Sequence, residues 1–229
     1  MYGELGRYPL NISIKIRMLC FWSRVISTEK LSSKIYRLLF NVYNERNHEL
    51  LIVRHVENIF DNIELSFIFS NQMPVNVNWT KVNIKQILVD QFVQNWRNQI
   101  ANSSRVNLYS IFKQDFFLEP YLLRVDQQHR NCITKFRVSN MKLPIETGRW
   151  YNISKDHRKC TKCSVNLIGD EFHYLFICSH PEIVNLRYIP NYYLRNSNAE
   201  QMAGMLSLCH IELLTNLSPF QKGLNRLFS

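Results

Sequence analysis

Cys160-x2-Cys163-x9-His173-x4-Cys178 is the feature of this 229-residue chain that most restricts its fold. A C-x-x-C turn lets two thiolates face one ion, and an imidazole and a third thiolate can complete a tetrahedral shell. Lys159, Thr161 and Lys162 flank the turn, and their positive charge favours thiolates. Asp170 is placed to cap a short helix carrying His173. On an ideal helix, residues five apart differ by about 140°, so His173 and Cys178 would not share a face. Cys178 must therefore sit where the helix ends or unwinds, as Ser179-His180-Pro181 permits.

This spacing favours one structural zinc ion over three alternatives. One is a segment with no metal. A redox pair is disfavoured because the C-x-x-C does not sit in a strand–helix unit. A catalytic metal would need an open position and a general base, for which Glu171 is the nearest carboxylate. No second C-x-x-C follows a proline, so deaminase chemistry fits poorly. His157 and His180 read as bystanders. Cys20, Cys132 and Cys209 lie in apolar helical settings and read as buried, inert thiols.

The charge map gives this segment a setting. The chain carries a net charge of +10, concentrated in residues 124–162, which hold ten basic residues and three acids. Residues 51–123 are balanced, with six of each. A basic stripe running into Cys160 and Cys163 suits a polyanion, because neutralised phosphates release counterions. The candidate nucleic-acid contacts are Arg130, Lys135, Arg137, Lys142, Arg149, Trp150, Lys155, Arg158, Lys159 and Lys162. Phe136, Trp150 and Tyr151 are interleaved with them, and one or two could stack on unpaired bases, Trp150 reading equally as a core aromatic that covers the zinc loop.

Helical periodicity dominates the remainder. With 46% hydrophobic residues, six Gly and seven Pro, the chain can bury a core and is poor in tight turns. Helices are expected at 10–26 after Pro9, at 31–43 with Ile35, Leu38, Leu39 and Val42 on one side, and at 49–60. The best-marked helix runs from Asn83 to Ala101, with Ile84, Leu88, Phe92 and Trp96 stepping by four. Shorter pieces follow over 109–123. A basic helix is expected at 127–141, with Cys132, Ile133 and Phe136 inward, Arg130 and Arg137 outward, and Pro144 ending it. Further helices are expected at 182–189, 198–207 and 209–217. All these apolar stripes are assigned to core packing. The loop 70–79 is the expected internal boundary.

The fold expected is mainly α: an irregular helical array with a small Cys-Cys-His-Cys zinc-knuckle subdomain near the C-terminus. Its segments are 1–70, a linker region 71–145, the knuckle subdomain 146–190, and C-terminal helices over 191–229. Lys15, Arg17 and Arg24 make 10–26 a poor membrane span, and no signal peptide is apparent. An intracellular, reducing compartment is therefore expected, nuclear or nucleo-cytoplasmic, with no membrane partner.

Several stretches resemble the region after the polymerase core in reverse transcriptases of non-LTR, LINE-like retrotransposons. They are GELGRYPL (3–10), KFRVSNMKLPIETGRW (135–150), RKCTKC (158–163), GDEFHYLFIC (169–178) and LRYIPNYY (186–193). The resemblance implies that Cys160, Cys163, His173 and Cys178 bind zinc. It also implies that Arg137, Glu146, Gly148 and Arg149 form the basic turn before them, in a module that grips template RNA or target DNA. Met141 stands where the family often has histidine. The chain holds no Asp-Asp pair, so the polymerase aspartates are missing and no enzyme activity is expected. The chain then reads as a detached C-terminal piece whose partners are nucleic acid and a polymerase core or a second copy. The rival expectation is a protein-interaction scaffold with a purely structural zinc and no nucleic-acid binding.

Overall fold

Pro9 stands in extended conformation (φ −61°, ψ 147°) and starts the helix Leu10–Ile26, since its fixed φ and missing N–H suit an entry position. This computed structural model describes residues 2–46, 50–103, 109–195, 197–207 and 211–228. The chain is mainly helical, with no strand among the described residues and isolated bridges at Leu5–Leu118 and Lys159–Ile168. It divides into two compact units, one of residues 8–95 and one of residues 1–7 with 96–229. The division does not fall at 70–79. That stretch lies within the first unit, where Ser23 Oγ donates to Val75 O at 2.6 Å.

The unit of residues 8–95 packs helices Leu10–Ile26, Leu31–Arg46, Leu51–Asn62 and the start of Lys85–Ala101. Trp22 lies at its centre, edge-on to Phe60 at 5.0 Å, with its Nε1 donating to Tyr36 Oη at 2.8 Å. Val53 and Ile84 are fully enclosed. A π turn, Thr80–Ile84, joins Val77–Trp79 to the long helix, so that helix has no break where Asn83 marked its start. Helix Leu31–Arg46 corrects the sequence reading. Ile35, Leu38, Leu39 and Val42 do share a side, but they face solvent, with Leu38 66% exposed. The inner face carries Ser33, Tyr36, Phe40 and Tyr43. Phe21 and Ile14 of the preceding helix are also exposed.

The other unit is centred on the packing of Gln127–Arg137 against Ile211–Leu227. Ile133, Phe136, Leu217, Phe220 and Leu224 are buried in one cluster, which also takes Leu175, Cys178 and Ile183 from the knuckle. The basic helix stops at Arg137, short of the expected 141. Ser139 turns left-handed (φ 52°) and Asn140 N–H donates to Lys135 O at 2.8 Å, closing the helix C-terminus. Pro144 opens the next helix, Pro144–Trp150, where its missing N–H costs nothing. The last helix extends to Leu227, well past the expected 217, through an exposed Pro219. Residues Asn191–Arg195 form a short helix where no element was expected.

A buried ionic cluster ties the first residues into this unit. Arg137 is 1% exposed. Its Nε lies 3.1 Å from Glu4 Oε2 and its Nη2 2.9 Å from Glu119 Oε2, while Nη1 donates to Leu206 O at 2.7 Å. Lys113 Nζ pairs with the other oxygen of Glu119. Two cations thus face two carboxylates, and every guanidinium nitrogen has a partner, as burial of charge requires. Gly6 (φ 55°) permits this docking, because a Cβ there would stand 2.3 Å from Leu118 N. Arg137 was expected on the exposed face beside Arg130; the 2 anchors GELGR and KFRVSN meet instead through Glu4 and Arg137.

Candidate metal centre

The knuckle begins with a two-sided loop. Cys160 N–H donates to Leu167 O at 2.8 Å, and Gly169 N–H to Arg158 O at 2.9 Å. Asn166 takes a left-handed φ of 59° at the tip. Ile145 N–H donates to Gly169 O at 3.2 Å, fixing the loop to helix Pro144–Trp150. Arg158 secures the other side, donating from Nε to Ile153 O and from Nη1 to Ile145 O. Gly148 makes room for that side chain, since a Cβ there would meet Arg158 Cγ at 2.6 Å. Lys162 N–H points at Cys160 Sγ at 3.4 Å, a contact that favours the thiolate.

The second pair of donors comes from a helical turn. Asp170 Oδ1 accepts from His173 N–H at 2.8 Å, as its position in the sequence suggested. The turn His173–Ile177 then widens to π geometry, and Cys178 N–H donates to His173 O at 2.8 Å. Five residues therefore close one turn, and Cys178 leaves it in extended conformation (φ −53°, ψ 127°). The angular mismatch of an ideal α-helix is removed by this wider turn.

Cys160, Cys163, His173 and Cys178 each present a donor atom, all within 4.8 Å of one another. Cys160 Sγ and Cys178 Sγ are 3.9 Å apart, and Cys163 Sγ is 3.4 Å from His173 Nε2. A tetrahedral ion with metal–sulfur bonds of about 2.3 Å and metal–nitrogen bonds of about 2.0–2.1 Å sets S···S edges near 3.8 Å and S···N edges near 3.6 Å. The Cys160–Cys178 and Cys163–His173 separations lie close to those edges, and the four donors could hold a metal ion. The 3.9 Å separation is far outside a disulfide bond of about 2.05 Å.

The electrostatics suit a thiolate site. Burial pushes the Cys160 thiol up, but Tyr174 and the Lys162 and Cys163 N–H groups outweigh it, and the net shift is downward. Burial and the neighbouring thiols push Cys178 up to about 12, so a bound cation would have to draw off that proton. Burial, then Arg187, hold His173 below the usual imidazole range, in the neutral form a metal ligand needs. Arg187 is a residue the sequence reading passed over. Its Nε donates to Tyr174 O at 3.0 Å and its Nη2 to Cys178 O at 2.6 Å, setting a cation beside the thiols. Its signal was an arginine shortly after Cys178, inside LRYIPNYY. Glu171, the possible general base, is wholly buried, and burial pushes its carboxyl up to about 7. His157 and His180 are outside the donor group, and so are Cys20 and Cys132. Cys20 is buried; Cys132 is half-buried and accepts from Ser218 Oγ at 3.4 Å. Cys209 lies outside the described residues. Comparisons with protein-family models, curated proteins and solved structures give no match to this chain.

The basic residues expected at a nucleic-acid surface separate by type. The arginines are engaged within the protein: Arg137 in the buried cluster, Arg130 on Leu122 O at 2.8 Å, Arg149 on Glu146, and Arg158 on Ile153 O and Ile145 O. Lys135, Lys142 and Lys155 are exposed, as is Trp150 at 57%, and Lys159 and Lys162 are half-buried. Lys162 lies over the Phe228 ring at 5.4 Å. No helix among the described residues is long and apolar enough to cross a membrane.

Proposed function

We propose that this chain is a non-catalytic nucleic-acid-binding module stabilised by one structural zinc ion, and that it corresponds to the region after the polymerase core of a non-LTR reverse transcriptase. The observation that carries this reading is the convergence of donor atoms from Cys160, Cys163, His173 and Cys178, all within 4.8 Å of one another, at the end of the most basic segment of the chain. Three thiolates and one imidazole are a donor set suited to zinc, and four protein donors close the shell against a reacting water. Bound in this way, zinc would supply cross-linking of the loop to the helical turn. With three thiolates it leaves a site of net charge −1, which Arg187 offsets.

The cation at the binding surface comes from lysine. Lys135, Lys142 and Lys159 have no ion-pair partner among the described residues, whereas the arginines shape the scaffold that presents them. Lysine binds phosphate as a point charge, which suits sequence-independent grip on a backbone of RNA or DNA. Titration of a fluorescent oligonucleotide at rising salt tests the reading. Affinity is expected to fall by about tenfold or more between 50 and 200 mM salt for several phosphate contacts. A flat affinity over that range contradicts it.

A second role is supported by helix Leu31–Arg46. Its solvent side carries Ile35, Leu38, Leu39 and Val42, and the neighbouring groove of about 250 Å³ is lined by Met18, Phe21, Trp22 and Ile52. Exposed apolar area of this kind marks a contact surface for protein. A polymerase core or a second copy of the chain is the proposed occupant.

A further inference from the structure

A cleft of about 440 Å³ with both polar and apolar lining opens beside the end of helix Pro144–Trp150. It is lined by Lys135, Asn140, Met141, Lys142, Trp150 and Asn225. Four separate elements build it, with Trp150 from helix Pro144–Trp150. Lys135 comes from helix Gln127–Arg137, and Asn225 from helix Ile211–Leu227. Asn140, Met141 and Lys142 come from the connection that Ser139 starts with its left-handed φ of 52°. Met141 is buried at 4% exposure and serves as apolar floor, while Trp150 leaves more than half its surface open at the rim.

We propose that this cleft takes one unstacked nucleotide of a single-stranded nucleic acid. The inference rests on the nucleic-acid-binding reading and specifies its substrate. Each lining group has a matching part on a nucleotide. Trp150 offers a π-face on which any base can stack. Asn140 and Asn225 each offer a donor and an acceptor to a base edge or sugar hydroxyl. Lys135 and Lys142 supply charge for the flanking phosphates, and no carboxylate is among the lining residues. The volume is that of a small-ligand site. A paired base within a duplex cannot present its face to Trp150, so the cleft selects single strands. Trp150 is exposed while Met141 in the same lining is buried, so the indole is open to a ligand.

The test is fluorescence anisotropy with labelled ten-nucleotide oligouridine, oligothymidine and a duplex of equal length, on the zinc-loaded full chain. Trp150→Ala is expected to weaken both single strands about fivefold to a hundredfold and the duplex by less than twofold. Trp150→Phe should recover most of the loss. Lys135→Gln with Lys142→Gln should lower the single-strand salt slope by about 1.4, at about 0.7 per phosphate contact. Circular dichroism and zinc content, expected unchanged, show that the exposed-site variants fold. Equal loss on duplex and single strand, or no loss with Trp150→Ala, overturns the cleft while leaving the general nucleic-acid reading standing. Uridine monophosphate competing as well as the strand overturns the strand assignment. If the unaltered protein binds none of the three, the general reading fails and the cleft with it.

Discussion

The two compact units of this protein are specified by different means. Residues 8–95 are organised by apolar and aromatic packing around Trp22, Phe60 and Ile84, and no buried ion pair forms there among the described residues. The other unit contains a buried four-member ionic cluster, a group of four donors that could hold a metal ion, and Arg158 wedged against Gly148. Apolar packing is forgiving of exchange among similar side chains. Buried charges and thiolates are not, because each needs its named partner. The second unit should therefore fail at single polar positions where the first would only soften.

Metal removal should separate the two most sharply. Zinc-finger peptides gain on the order of 10 kcal/mol from their metal. A strong chelator is expected to abolish amide-exchange protection across residues 158–178, with little change at 51–62. Equal loss of protection in both segments would break the comparison. The next largest effect is expected from Arg137→Ala, which leaves Glu119 with Lys113 and takes from Glu4 its cation, though the Tyr121 hydroxyl still donates to it. It should cost about 3–5 kcal/mol in denaturant unfolding, the usual result of removing one partner from a buried pair. A loss under about 1 kcal/mol would show that the cluster is hydrated.

Smaller effects belong to residues 8–95. Ile84→Val removes one methylene from a fully enclosed site and should cost about 0.5–1.5 kcal/mol. At the exposed face, Leu38→Lys should change stability by no more than about 0.5 kcal/mol. Sedimentation at increasing concentration should nevertheless show weaker self-association, or weaker capture of a polymerase core added in trans. Loss of stability comparable to that of a core variant would mean that Leu38 is buried in solution.

Much of the helical layout was legible because periodicity reports local geometry. The helices over 10–26, 51–62 and 199–207 lie close to where their stripes put them. The convergence of Cys160, Cys163, His173 and Cys178 was legible from spacing, and Asp170 from its capping position. What was hidden involved competition or distance. Helix Leu31–Arg46 has an aliphatic side and an aromatic side, and periodicity does not say which one the core prefers. Tyr36, with its hydroxyl on Trp22, took the inside. Arg137 reads as a surface cation because its partner Glu4 is 133 residues away in sequence. The last helix passes Pro219 because Leu217, Phe220 and Leu224 on both sides are held in the core. The π turn that aligns His173 with Cys178 leaves no mark in residue pattern beyond the spacing itself.

The zinc centre is the claim on which the rest depends, and metal content measured on purified protein reaches it most directly. One zinc per chain is expected in the unaltered protein, and close to none in Cys163→Ser expressed and purified in parallel. Absence of zinc from the unaltered protein, or equal zinc in both, would contradict the account.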